Sequence, residues 1–221
     1  MSYTKLFRLL ELTRNMPQYG YVLAGISKNE LSDLAQHHYL VAMIAWQLAR
    51  ACQQNGSSIN LARVLEISLT HDLGEIFGSD ISMPYARANE EARTYAKQFE
   101  RSNLGFLAHD FFTHDEQYFT ALVTEEKELT SDEAIIVKIA DMYEVTHYKA
   151  LVAEVTSGDI EMAVIKINKV LAAMQDERTK QTLQTITNTW AKEIAKTQDS
   201  EILEAAKHEQ SVPLSNELLH R

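Results

Sequence analysis

The sequence predicts a single all-α domain of about seven or eight helices, and three observations support this fold class. Only seven glycines and three prolines occur in 221 residues, whereas sheet-rich turns and disordered linkers use more of both. Apolar residues recur at the three- and four-residue spacing of amphipathic helices. No segment shows the alternation of apolar and polar residues that is typical of a half-buried strand.

Three helices are predicted in the first part of the chain. Residues 3–14 form a short amphipathic pattern, which is followed by a loop rich in aromatic rings. The stretch Ser27-Lys28-Asn29-Glu30 matches a capping box, so a long helix is expected from there to about Gln54. The pattern of apolar residues predicts the third helix over residues 60–78, and this helix carries a group of polar residues near its end.

The second part of the chain predicts the remaining helices. They are expected at residues 87–103, 105–124 with a break near His114, 130–155, 160–174 and 179–207. The run from Thr124 to Glu128 is most simply a solvated helix end. No repeat or linker divides the chain, so one domain is expected over residues 1–207, with 208–221 as a polar tail.

Composition and net charge limit the kinds of molecule that the protein is expected to bind. A formal net charge of −10 argues against non-specific binding to nucleic acid, which relies on Lys and Arg neutralising phosphates. It permits a small phosphorylated substrate, because a bound cation can reverse the local sign. The only cysteine, Cys52, cannot form an intrachain disulfide. With no apolar run near membrane-spanning length and no signal-peptide core at the N-terminus, a cytoplasmic protein without membrane contact is expected.

A cluster of polar side chains lies in the apolar stretch of residues 69–80. His71 and Asp72 are adjacent, Glu75 follows one turn later, and Asp80 lies just beyond a glycine. Burying four such groups is costly unless something binds them, and a divalent metal ion is the most economical candidate. Taken alone, the His71-Asp72 pair is more simply a salt bridge or a cap.

Two other predicted helices carry candidate ligands. His37 shares its helix face with apolar residues at offsets of three, four and seven and is therefore expected to point to the core, whereas the direction of His38 is open. Asp141 ends an almost wholly apolar run, where an unpaired carboxylate costs several kcal/mol. Pairing of Asp141 with Lys138 is the alternative to metal ligation.

Together, His37, His71, Asp72 and Asp141 offer two imidazoles and two carboxylates from three helices. Mixed nitrogen and oxygen ligation with open positions suits a catalytic divalent ion such as Mn, Co, Fe, Ni or Zn. Such an ion activates water near neutral pH and polarises a phosphoryl oxygen. Glu75 is placed to exchange a proton with that water or with the leaving oxygen, so it is predicted to be catalytic. Asp72 is also predicted to be catalytic. Orientation of a ligand is the alternative role for Glu75.

The chain resembles the HD-domain metal-dependent phosphohydrolases, and in detail their 5′-deoxynucleotidase subgroup. The resemblance covers about residues 5–175 and rests on three fragments: Gln36 to Ala42, His71 to Asp80 with Pro84 beyond, and Lys138 to Asp141. It implies an HD-domain helical bundle that binds metal through the four residues named above. It also implies that Glu75 assists catalysis, that Asp80 contacts the sugar hydroxyl, and that a homodimer hydrolyses deoxynucleoside 5′-monophosphates.

Two positions depart from the pattern of this family. Gln36 stands where family members carry an acidic residue before the first histidine. For the phosphate-binding arginine of the preceding loop, Arg14 is the nearest match, while Gln18 stands where some members place it. A helix-end cation is the alternative reading of Arg14, and a cap is the alternative reading of Asp80. A triphosphohydrolase, a phosphodiesterase or a non-catalytic nucleotide- or metal-binding module are the alternative functions.

Overall fold

The computed structural model describes residues 3–78, 81 and 83–195. Within these residues there are nine α-helices, eight of which have nine residues or more, and no β-strand, so the predicted all-α fold class is confirmed. None of these helices is long and apolar enough to cross a membrane. The predicted boundary at residue 207 and the tail 208–221 lie outside the described residues. The helices are α1 (Tyr3–Glu11), α2 (Leu34–Gln54), α3 (Leu61–Thr70), α4 (Met83–Ala88), α5 (Glu90–Asp110), α6 (Glu116–Glu128), α7 (Asp132–Val152), α8 (Ser157–Leu171) and α9 (Glu177–Ile194), with 3₁₀ turns at Leu12–Asn15, Tyr19–Ala24, Lys28–Glu30 and Leu73–Phe77.

Helix α7 lies at the centre of the bundle. Its consecutive residues Ile135, Ile136 and Val137 are all buried, which requires neighbours on several sides. Helices α2, α3, α6 and α8 supply these neighbours. A second apolar cluster joins α1, the Leu73–Phe77 turn, α5 and α6. The start of α2, the end of α3 and the middle of α7 therefore meet where the two clusters adjoin.

The predicted start of α2 is wrong. Ser27 accepts a hydrogen bond from the backbone N–H of Asn29 and caps only the short Lys28–Glu30 turn. Helix α2 begins at Leu34, because the carboxylate of Asp33 accepts a hydrogen bond from the backbone N–H of Gln36 at 2.8 Å. An aspartate N-cap of this kind satisfies a backbone donor that the helix leaves unpaired.

The chain before α2 is tied to an earlier loop by a short antiparallel bridge between Pro17 and Asp33. The backbone N–H of Gln18 donates to the carbonyl of Ser32 at 3.0 Å, and the N–H of Leu34 donates to the carbonyl of Met16 at 2.9 Å. These bonds hold the loop around Gln18 against the first turn of α2.

The helix predicted over residues 60–78 is shorter than expected. Helix α3 ends at Thr70, and the backbone leaves helical geometry at Asp72, with φ −115° and ψ 19°. A 3₁₀ turn, Leu73–Phe77, then carries Glu75. The polar motif consequently lies at a helix end and in a turn, not inside one continuous helix.

A reciprocal cap stabilises the start of α8. The hydroxyl of Thr156 accepts from the backbone N–H of Asp159, and the Asp159 carboxylate accepts from the N–H of Thr156 at 2.9 Å. The same carboxylate accepts from Lys149 Nζ at 2.8 Å. Burial alone would raise the pKa of Asp159, but Lys149 and Thr156 outweigh it and lower the pKa to about 2.

We expect Asp159→Ala to lower the free energy of unfolding by about 1 kcal/mol at neutral pH, the usual effect of losing a cap. Because the pKa is lowered in the folded protein, the carboxylate stabilises fully above its ordinary value of 3.8, and this contribution is lost as pH falls through about 2. Urea unfolding of both proteins at several pH values should show the difference shrinking toward low pH. Glu161→Ala, an exposed change in the same helix, is the control. A difference that stays constant with pH would contradict the role given to the charge.

Candidate metal and catalytic site

Three side chains from the end of α3 and from α7 surround Nε2 of His37 on α2. Nε2 of His37 lies 3.1 Å from Nε2 of His71, 3.6 Å from Oδ2 of Asp72 and 3.6 Å from Oδ1 of Asp141. Nε2 of His71 lies 3.3 Å from Oδ2 of Asp72. Both imidazoles are only 1% exposed, while the two carboxylates are partly accessible. The structure thus brings together all four residues that the sequence predicts as ligands.

The Nδ1 atoms of the two imidazoles are held by other groups, and their Nε2 atoms face each other. Nδ1 of His71 lies 2.8 Å from the carbonyl oxygen of Ser68, and because a carbonyl can only accept, that nitrogen carries the proton. Nδ1 of His37 donates in the same way to Oε2 of Glu144 at 2.8 Å. When both rings are neutral, both Nε2 atoms carry lone pairs, and two lone pairs 3.1 Å apart repel unless a cation or a proton lies between them. Neutral histidines bind metal ions in this tautomer.

Lysines hold the outer oxygens of the two carboxylates. Oδ1 of Asp72 lies 3.4 Å from Nζ of Lys127, and Oδ2 of Asp141 lies 2.7 Å from Nζ of Lys138. Burial opposes ionisation at both sites. Lys127 and the neighbouring His71 nevertheless lower the pKa of Asp72, and Lys138 lowers the pKa of Asp141. The Asp141–Lys138 pair therefore forms in addition to the convergence on His37, and both carboxylates are ionised, as metal ligation requires.

The charge balance of the cluster also favours a cation. Burial disfavours the charged form of His37, but Asp72, Glu144 and Asp141 together raise its pKa well above its ordinary value. The cluster thus holds a surplus of negative charge even with two lysines beside it. A divalent ion would neutralise that surplus and displace the proton from His37.

His38 lies beside the cluster but outside the converging group. Its ring centroid is 4.9 Å from that of His71, and its buried Nε2 has no hydrogen-bond partner among the residues described. Burial and the neighbouring His71 lower the pKa of His38, which keeps it neutral. Of the two adjacent histidines, His37 is the one whose Nε2 faces the other candidate ligands.

Glu75 lies in a 3₁₀ turn that is held against α5. The side-chain amide of Asn103 donates to the carbonyls of Gly74 at 3.0 Å and Gly78 at 3.2 Å, at the two ends of the turn. A Cβ at Gly74 would lie 3.1 Å from Cγ of Leu104, so a glycine permits this close approach. Gly78 has φ 82°, a conformation that other residues rarely adopt. These contacts with α5 fix the position of the turn that carries Glu75.

A narrow cleft opens beside Glu75. Gln18 lies on it, and its buried Oε1 has no hydrogen-bond partner among the groups that the structure describes. Such an atom calls for a further hydrogen-bond partner, such as a water molecule or a ligand. A neutral amide therefore stands at the position where some members of the resembled family carry an arginine. The other lining residues are Met16, Pro17, Tyr19, Leu34 and Gly78.

The structure gives no substrate-binding role to the two predicted substrate contacts, Arg14 and Asp80. Nε of Arg14 pairs with Oε2 of Glu11 at 2.9 Å, and the arginine side chain is 72% exposed, as expected for a helix-end cation. Asp80 lies outside the described residues. Both substrate contacts stay predictions.

Sequence reasoning missed Glu144 and misread the end of α6. Glu144 is buried one turn after Asp141, and Tyr21 Oη also donates to its Oε2 at 3.4 Å. A glutamate in an apolar helix was the available signal. The run from Thr124 to Glu128 was predicted to be solvated, but Glu126 is buried and Lys127 reaches Asp72.

We expect Glu144→Ala to weaken Mn²⁺ binding by roughly 10- to 100-fold, because a partner that orients a metal-binding histidine typically contributes that much. Glu144→Gln keeps a hydrogen-bond acceptor and should lose less. Isothermal titration with Mn²⁺ measures both, and Glu154→Ala, an exposed change, is the control. Equal affinity in the wild type and Glu144→Ala would contradict this role.

Comparison with known proteins adds two findings. The model of a family described as YfbR-like 5′-deoxynucleotidases matches residues 23–190. The fold is similar to three solved structures, each 21% identical in sequence. They are the PH0347 protein from Pyrococcus horikoshii OT3 (TM-score 0.64, covering 86% of this chain and 98% of the other), a conserved hypothetical protein from Pyrococcus furiosus (0.63, 84% and 99%) and an HD-domain phosphohydrolase from Listeria innocua (0.62, 87% and 99%). A search of curated proteins finds no match.

Proposed function

Because this chain belongs to the family of YfbR-like 5′-deoxynucleotidases and is a metal-dependent phosphohydrolase, we propose that it hydrolyses deoxynucleoside 5′-monophosphates. The products are the nucleoside and orthophosphate. One observation carries the proposal: the Nε2 atoms of two imidazoles and the oxygens of two carboxylates lie together, while other groups of the protein hold the opposite atom of each ligand.

The proposed ligands of one divalent ion are His37, His71, Asp72 and Asp141. When bound, Mn, Co, Fe, Ni or Zn supplies a Lewis acid that polarises a phosphoryl oxygen and activates water near neutral pH. Asp72 contributes to catalysis as a ligand. This donor set fits such an ion because two imidazoles, which bind metal in their neutral form, stand with two ionised carboxylates in a largely buried cluster.

The rest of the chemistry belongs to the side chains around these ligands. Glu144 and the carbonyl of Ser68 keep the imidazole lone pairs directed inward. Lys127 and Lys138 keep the carboxylates ionised. Glu75, on the cleft, is proposed to take a proton from the attacking water or to give one to the leaving oxygen of the sugar.

The family resemblance extends the proposal to finer features. We propose that the protein acts as a homodimer in the cytoplasm, that Asp80 contacts the sugar hydroxyl, and that Arg14 contacts the phosphate. The net charge of −10 supports a small substrate rather than nucleic acid.

Phosphate release from a panel of deoxynucleoside and ribonucleoside 5′-monophosphates, with Mn²⁺ or Co²⁺, tests the function. Hydrolysis of the deoxynucleotides is the expected result. Ion chromatography of the products from triphosphates and phosphodiesters separates the two alternative activities, since a triphosphohydrolase releases triphosphate or pyrophosphate. The absence of turnover across all substrates, in protein shown by metal analysis to be loaded, would contradict an enzymatic role.

A further inference from the structure

The ammonium group of Lys127 lies among three carboxylates beside the proposed metal centre. Its Nζ is 3.4 Å from Oδ1 of Asp72, 2.6 Å from Oε1 of Glu100 and 3.1 Å from Oε2 of Glu126. Glu126 is only 4% exposed, whereas the side chain of Lys127 is 33% exposed, so the group lies at the edge of the buried region. One ammonium group cannot neutralise three carboxylates. The group therefore carries a net negative charge, unlike a simple ion pair.

Asp72 joins this group to the proposed metal centre. Its Oδ2 faces the Nε2 atoms of His37 and His71 at 3.6 and 3.3 Å, whereas its Oδ1 faces Lys127. A carboxylate with one oxygen on each side can bridge two cations, and the ions of two-metal hydrolases lie about 3.5–4 Å apart. The ammonium group therefore lies beside Oδ1 of Asp72, where a second metal ion would bind if Asp72 bridged two ions.

We propose that Lys127 sets the number of metal ions: its ammonium group fills a divalent-cation site formed by Asp72, Glu100 and Glu126, and so limits the centre to one ion. The inference rests on the proposed role of Asp72 as a ligand. Without the ammonium group, three carboxylates from three parts of the chain would repel one another. Several carboxylate oxygens at one point are the ligand set that Mn²⁺ and Mg²⁺ prefer.

Lys138 provides a matched comparison. It also pairs with the outer oxygen of a proposed ligand, with its Nζ 2.7 Å from Oδ2 of Asp141, and its side chain is exposed to a similar extent. Within the described part of the chain, however, Asp141 is its only ion-pair partner within 4.0 Å. Removal of Lys138 therefore leaves one carboxylate without a cation, whereas removal of Lys127 leaves three.

The test is the number of Mn²⁺ ions bound per chain, measured by metal analysis and isothermal titration, with electron paramagnetic resonance to detect two coupled ions. We expect one ion in the wild type and two in Lys127→Gln. Lys127→Met keeps most of the unbranched side chain without its charge and serves as a second variant with the same expected count. Lys127→Arg retains the positive charge and should bind one ion, as should Lys138→Gln.

Adding Glu100→Gln to Lys127→Gln should return the count to one. Two coupled ions in the wild type, or one ion in the folded Lys127→Gln or Lys127→Met protein, would overturn the inference while leaving the proposed function intact. A wild-type protein that binds no ion would instead refute the proposed ligand set. The two failures are therefore distinguishable without any measurement of turnover.

Discussion

Asp72→Asn is expected to abolish metal binding at the centre and to lower phosphate release by roughly 10³-fold or more. The amide that replaces the carboxylate is neutral, so one of the two anionic ligands is lost while the shape of the side chain is retained. A Lewis acid contributes several kcal/mol to a phosphoryl-transfer reaction, and each 1.36 kcal/mol corresponds to about tenfold in rate. Metal analysis and phosphate release over the nucleotide panel measure the two effects.

Thermal unfolding gives an independent readout of the same change. Because an ion that binds only the folded protein stabilises it, added Mn²⁺ should raise the melting temperature of the wild type but not that of Asp72→Asn. Asp115→Asn changes an exposed aspartate and should behave as the wild type in all three measurements. Full metal content together with normal turnover in Asp72→Asn would exclude Asp72 as a ligand.

Glu75→Gln is expected to lower turnover by roughly 10²- to 10⁴-fold, the usual contribution of general acid–base catalysis, with metal content unchanged. Glutamine occupies the same volume but cannot exchange a proton, so one limb of the pH–rate profile should also be lost. Glu128→Gln, a change at an exposed glutamate, is the control.

A different outcome would identify the alternative role of Glu75. If this residue only orients a ligand, the affinity for Mn²⁺ should fall together with turnover, and the pH–rate profile should keep its shape. Titration with Mn²⁺ and rates measured across pH on the same preparation separate the two roles.

The residues of the candidate cluster could be found from the sequence because each of them interrupts an apolar pattern. His37 stands at helical offsets from apolar residues, and Asp141 ends an apolar run. The structure brings both to His71 and Asp72. A buried ionisable group requires a partner, so these interruptions were informative even without three-dimensional contacts.

The groups that hold the ligands were harder to predict. Helix α7 is buried on several sides, so its periodicity does not distinguish the face that carries Glu144 from any other. Lys127 follows two glutamates in a run that is typical of a solvated surface, and only the packing of α6 beside α5 and Asp72 gives it partners. Such contacts depend on tertiary structure, which a local pattern does not encode.

The predicted start of α2 was wrong for a related reason. The box from Ser27 to Glu30 is a valid local signal, yet it caps a single 3₁₀ turn. The bridge between Pro17 and Asp33 fixes the backbone just before Leu34, and Asp33 is a competent cap at that position. Contacts between distant residues decided between two plausible helix starts.

The bridge between Pro17 and Asp33 also bears on how a molecule would bind in the cleft. It ties the cleft wall at Gln18 to the first turn of α2, and α2 carries His37 one turn later. The cleft wall and His37, a proposed ligand, are therefore joined through the backbone hydrogen bonds that hold the loop against α2. A molecule that enters the cleft would meet a preorganised surface, so binding at this wall should incur little entropic cost for ordering a loop.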